Sequence, residues 1–223
     1  MQYAVNQPVR HHYTPQFYLS AWCSPGAPGE GDRLFVVQNF DGKIKYVRRP
    51  PKAIGYQDHL YSFSAELPTP EPAALEKRVF SPLDDKAGKL VAKLMVDERL
   101  SDDERLVWAT FLAAMRARTP ENIALVKERG TEHVRLERGK GQSDYEALKE
   151  HSDPASVLEW IESRYPGLIE NFSLANLPRV LTGDVVVKIN SMAWHALNFE
   201  TGRHRLLCSD RPCVFTAGID DRN

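Results

Sequence analysis

The sequence predicts an α+β fold: a mainly helical middle with a small antiparallel sheet built from N-terminal and C-terminal hairpins. Three observations predict it. Asp41-Gly42 stands between two β-branched and aromatic runs, RLFVVQN and KIKYV, which is a strong hairpin signal. Apolar residues from Asp102 to about Arg118 return near a 3.6-residue period behind a capping sequence. A second alternation near the C-terminus, Met192 to Phe199 and Arg205 to Cys208 around Glu200-Thr201-Gly202, reads as another hairpin, with Val214-Phe215 as a further short strand.

The elements follow in order. The first sixty-odd residues are aromatic and turn-rich, and RRPPKAIGYQDHLYSF after the first hairpin reads as irregular because Pro50-Pro51 breaks regular structure. Helix starts are read at Thr69-Pro70, Ser81-Pro82, Thr119-Pro120 and Asp153-Pro154, where a capping oxygen precedes a proline suited to the first helical position. SDDE at Ser101 to Glu104 and SDYE at Ser143 to Glu146 have capping-box spacing. In the best helix Leu106, Val107, Phe111, Leu112 and Met115 are expected on the core face. A second amphipathic helix runs from Pro120 to about Arg138, with Gly139-Lys140-Gly141 as the loop that ends it. VLTGDVVVKINSMAWHALNF is read as a helix ending near Asn190, then a strand. Neither hairpin is stable alone, so both are expected in one sheet against the helices, in a single domain over residues 1–223.

Composition narrows the function. With 29 Lys+Arg against 30 Asp+Glu and a formal charge of -1, the chain is no polybasic nucleic-acid binder. At 42% hydrophobic and 26% charged residues it is an ordinary globular chain rather than a disordered one. The start lacks a secretory apolar core, and Leu106 to Met115, the longest apolar stretch, has about half of the ~20 residues a membrane span needs. No membrane association is expected. Three cysteines, Cys23, Cys208 and Cys213, are an odd number at low density and suit a reducing cytoplasm.

The densest polar-aromatic cluster is HHYTPQFYL, residues 11–19. Its adjacent imidazoles and phenol offer a general base, a metal ligand or a phosphate contact, and in an extended piece His11 and His12 point to opposite sides. The structural alternative is an aromatic segment docked on the core with its polar tips hydrogen-bonded. Ser209-Asp210 follows a predicted strand, where a sheet positions catalytic carboxylates, although Ser and Asp before a proline are also ordinary turn formers. Arg116 and Arg118 gather at a helix C-terminus, as the helix dipole favours, or act as an anion clamp. No cofactor is predicted. A divalent metal is compatible with the residue types, but ligand spacing does not support one: Cys208 and Cys213 stand near the outer limit for zinc, and no second pair completes a Cys23/Cys208/Cys213/His tetrad. The sequence has no HExxH, Walker, GxGxxG or GxSxG pattern.

HHYTPQFYL, RLFVVQNFDGK, GYQDHLYSF, LSDDERLVWATFLAAMRARTP, the Trp194 segment and LLCSDRP occur in the order found in the bacterial family named domain of unknown function 4238, which the chain resembles from His11 to Pro212. Cys208 departs from that pattern, where Thr usually precedes Ser-Asp. The resemblance implies no known reaction. It does imply that motifs at both chain ends belong together. The expectation is one pocket beside the sheet, with His12, Tyr13 and Asp210 catalytic and His11, Gln16, Arg118 and Ser209 binding substrate. Such an inventory suits a nuclease-like or related hydrolase acting on nucleic acid or another phosphate-containing substrate better than redox chemistry. The rival is a non-catalytic binding or regulatory domain whose motif residues lock the N-terminal segment in place. The resembling family generally continues beyond SDxP, so a C-terminally shortened chain with an exposed sheet edge, open to self-association, is also expected.

Overall fold

A computed structural model describes residues 9–67, 70–137, 139–195 and 206–213. Helices dominate the middle of the chain, and the strands are short and antiparallel, as the α+β class requires. Among the described residues two separate pairs take the place of one sheet. β1 (Arg10–His12) pairs with β4 (Tyr56–Asp58), and β2 (Leu34–Phe40) pairs with β3 (Lys43–Arg49) across the Asp41-Gly42 turn. β4 lies within the stretch expected to be irregular. Gly55, at φ +65°, turns the chain so that three residues can run back along β1, too short a segment to show alternation. Of the C-terminal hairpin, Met192–His195 and Leu206–Cys208 carry no strand, while 196–205 and Val214-Phe215 lie outside the described residues.

The helical part begins earlier than Ser81-Pro82 suggests. A π-helical turn over Glu76–Phe80 runs directly into α2 (Ser81–Met95), whose Ser81 N–H donates to the Glu76 carbonyl. Thr69 is outside the described residues, and no helix begins at Pro70. α3 (Asp102–Ala117) carries the full Ser101–Glu104 capping box, with Glu104 N–H donating to Ser101 Oγ and Ser101 N–H to Glu104 Oε2. α4 (Pro120–Glu137) follows directly.

Gly139-Lys140-Gly141 is the start of α5 (Gly139–Leu148) rather than a loop, and Ser143 lies inside that helix. Two glycines cost about 2 kcal/mol of helix propensity, and contacts with the next element override it. Tyr145 packs on Trp160 at 6.4 Å and donates to the Pro154 carbonyl, while Gln142 accepts from Val157 N–H. α6 (Val157–Arg164) starts three residues after Pro154, capped by a Ser156–Glu159 box. α7 (Leu168–Ala175), a 3-10 turn over Leu177–Leu181 and α8 (Asp184–Ser191) complete the described helices.

α3 is the spine. Ala114 and Ala117 join Tyr61, Phe80, Ile123 and Leu174 in the main core. Ala109 and Ala113 receive Val186 and Ile189 of α8, and Phe111 and Met115 receive Ala87 and Phe17. Phe111 and Met115 are buried as the periodicity predicts, with four alanines beside them, and Leu106 is exposed. Trp194 is no strand residue. Its indole donates to the Ile189 carbonyl, and Arg105 lies over its ring while donating to the Asn190 and Met192 carbonyls, closing the C-terminus of α8.

Candidate functional site

β1 presents its two histidines to opposite sides, as a strand must. His11 is fully buried, stacked on Tyr61 with ring centroids 4.2 Å apart, and its Nδ1 accepts the Tyr61 N–H at 3.3 Å. His12 faces a hollow of about 440 Å³ between the N-terminal segment and α2, lined also by Gln16, Glu76, Ser81, Asp84 and Lys89. Burial lowers the His12 pKa, against the opposing pull of Glu76 and a hydrogen bond to the Lys52 backbone. The ring is therefore neutral at neutral pH, and its Nε2 is buried without a hydrogen-bond partner.

Beneath this hollow lies an ionic lock. The fully buried Arg118 guanidinium donates from Nη1 and Nη2 to the two oxygens of Asp84 at 2.9 and 2.8 Å and sits over Phe80. Burial raises the Asp84 carboxyl while Arg118 opposes it. Beside the pair, Glu76 accepts from Tyr61 Oη at 2.5 Å and from Ser81 Oγ at 2.9 Å, and Tyr61 is held protonated by burial and by that carboxylate.

The HHYTPQFYL and LLCSDRP motifs do meet. Thr14 is buried, its N–H donates to the Gly55 carbonyl, and its Oγ1 donates to the Asp210 carbonyl at 3.3 Å. A Cβ on Gly55 would stand 3.0 Å from Thr14 Cβ, so the close approach needs glycine as much as the positive φ does. The Cys208 thiol lies 3.6 Å from Tyr18 Oη. Tyr13 has its pKa raised by burial and by the Asp210 and Glu121 carboxylates. Ser209 Oγ accepts the Arg211 N–H, and both Ser209 and Asp210 are exposed.

Arg211, directly after Asp210, bridges to Glu121 at 2.6 Å on the wall of a second hollow of about 320 Å³. Arg116, Thr119 and Asn122 at the α3–α4 junction line it as well. The predicted residues thus fall in two places with no lining residue in common. His12 and Gln16 line the first hollow, with Arg118 under it through Asp84, while Tyr13, Ser209 and Asp210 cluster by the second. Among the described residues lining the first hollow, Asp210 is absent. Sequence reading missed Glu76, Asp84 and Tyr61. The first two fall in charged helical sequence that looks like a solvated face, and nothing in the spacing pairs Asp84 with Arg118. Among the described residues no three His, Cys, Asp or Glu side chains converge as a metal site.

The family described as protein of unknown function (DUF4238) matches residues 10–222. No curated protein and no solved structure matches the chain.

Proposed function

The chain belongs to the DUF4238 family of proteins of unknown function, and from its own residues we propose that it is a nuclease-like or related hydrolase acting on an anionic, phosphate-containing substrate. The observation that carries this reading is the grouping of Tyr13 and Asp210 next to a hollow that also offers Arg116 and Arg211. Guanidinium groups are partners for a phosphoryl oxygen. The Asp210 carboxylate serves as general base toward water, and the Tyr13 phenol, held protonated, donates to the departing oxygen. His12 is a second neutral base, on the other hollow. The first hollow, with Glu76, Asp84 and Asp85, is too acidic to be the anion's first contact.

A panel of phosphodiesters and oligonucleotides, offered with and without divalent cations, tests the proposal. Asp210→Asn and Tyr13→Phe are expected to lose about 100-fold or more of turnover at an unchanged melting temperature. Undiminished turnover in both variants sinks it. The same proposal puts the chain in the cytoplasm, supported by the free thiols of Cys23, Cys208 and Cys213.

A second reading, a non-catalytic binding or regulatory domain, is favoured by one observation: His11 and Arg118 are both fully enclosed and bonded to their neighbours. On that reading Asp210→Asn leaves every phosphoester measurement at the level of the empty buffer, as does the unaltered chain.

A further inference from the structure

The wall of the second hollow carries more than its guanidinium groups. Part of it is apolar, with Met115 from α3, Leu125 from α4 and Pro212-Cys213 from the C-terminal motif. Burial holds the Cys213 thiol protonated, so this stretch bears no charge, and an uncharged thiol behaves as a small apolar group. A phosphoryl oxygen gains nothing from such a wall. An apolar group attached to the phosphate does.

Asn122 lines the same hollow, one residue along α4 from Glu121, which bridges to Arg211. Its Nδ2 donates to the Ala117 carbonyl at 2.9 Å, and its backbone N–H donates to Thr119 Oγ1 at 3.4 Å. The first bond settles which end of the amide is nitrogen and leaves Oδ1 without a donor among the described residues. The other N–H of Nδ2 is unspent as well. Asn122 therefore offers an acceptor beside a donor, the pair with which an asparagine reads the edge of a nucleobase. Around it, Arg116 and Arg211 stand against the single carboxylate of Glu121, which leaves the lining with a positive surplus for an anion.

We infer that the second hollow takes a single nucleotide unit, with the base against Met115, Leu125 and Pro212, the base edge on Asn122 and the phosphate on Arg211 and Arg116. At about 320 Å³ the hollow stands at the small end of ligand pockets, roughly 300–1,000 Å³, which suits one base with its sugar and phosphate rather than a length of duplex. A sugar phosphate would set hydroxyls against the apolar wall, and a phenyl phosphate would leave the Asn122 amide unanswered. A nucleobase meets both demands, being apolar on its faces and polar along its edge. As the substrate class of the hydrolase, this rests on the function proposed above, but the test below reads binding alone, so loss of turnover and loss of binding are separate results.

The experiment is isothermal titration calorimetry of the full chain with adenosine 5′-monophosphate, phenyl phosphate and inorganic phosphate. The nucleotide is expected to bind about tenfold or more tightly than either of the others. Asn122→Ala is expected to weaken nucleotide binding about tenfold and to change phenyl phosphate binding by less than about twofold. Leu125→Ser, at an exposed position that leaves the melting temperature unchanged, is expected to weaken the nucleotide by about threefold or more. Arg211→Ala should weaken all three ligands. Equal affinity for the nucleotide and phenyl phosphate, or unchanged nucleotide affinity in both Asn122→Ala and Leu125→Ser, overturns the inference and leaves the hydrolase reading standing. Asp210→Asn is expected to keep nucleotide binding. Selective nucleotide binding in a chain that turns over no phosphoester supports the nucleotide site and overturns the hydrolase.

Discussion

Arg118 and Asp84 form a two-pronged ion pair across 34 residues of sequence, with the guanidinium wholly enclosed and the carboxylate still touching the hollow beside His12. Removing Asp84 leaves a buried charge without its counter-charge. Asp84→Leu and Arg118→Met should each destabilise the fold by about 3–5 kcal/mol in urea unfolding, and the double variant should recover much of the loss. Equal and additive small losses would mean that the pair contributes little.

Protonation of His12 works against the fold. Its pKa is lowered from 6.5 by burial, so below that value the unfolded chain binds a proton that the folded chain resists. The contribution is complete above pH 6.5 and is lost as pH falls through the lowered value. In His12→Gln this part of the pH dependence disappears, so the stability gap between the two proteins should narrow on acidification from pH 7. Thermal melts across that range check it, and parallel curves would show that His12 takes up its proton equally in the folded and unfolded states.

Gly130 marks where α4 meets α7. A Cβ there would stand 1.9 Å from Ser173 Oγ and 2.5 Å from its Cβ. On an open helix Gly→Ala stabilises by about 1 kcal/mol, whereas Gly130→Ala should destabilise by about 1–3 kcal/mol as the helices part. A rise in melting temperature would contradict the close approach.

All three thiols are pushed up chiefly by burial, Cys213 to about 11. At neutral pH iodoacetamide should label the native chain at least about tenfold more slowly at Cys213 than the urea-unfolded chain, as read by mass spectrometry. Similar rates would show that the segment around Pro212 leaves the thiol open.

Local chemistry was the legible part of the fold. The Asp41-Gly42 hairpin, the Ser101 capping box and the helix ending near Asn190 each depend on residues a few positions apart, and each stands where the sequence puts it. Elements owed to distant partners were not legible. β4 exists because β1 is there to pair with it, α5 begins on glycine because α6 supports Tyr145 and Gln142, and Ser156 outdoes Asp153 as a cap because Glu159 answers it. For the site, alternation placed His11 and His12 on opposite sides, and the meeting of the HHYTPQFYL and LLCSDRP motifs was expected from the family pattern. Asp84 was not found, since a carboxylate in a charged helix carries no mark of the arginine it will face.

The π-helical turn before α2 has a consequence for how this helix tolerates change in length. One residue advances an α-helix by about 100°, and a π turn holds one residue more than an α turn. Winding the same residues as a regular α-helix would swing Ser81 and Asp84 about 100° around the axis relative to Glu76, whereas deleting Val79 as the turn becomes α would keep their phase. In the regular helix of full length Glu76 would lose Ser81, or Asp84 would lose Arg118, because the bonds Tyr61–Glu76–Ser81 and Asp84–Arg118 are in phase across the wide turn. The wide turn takes up the odd residue without changing the phase between two polar networks, and a regular helix of the same length could satisfy one of them but not both.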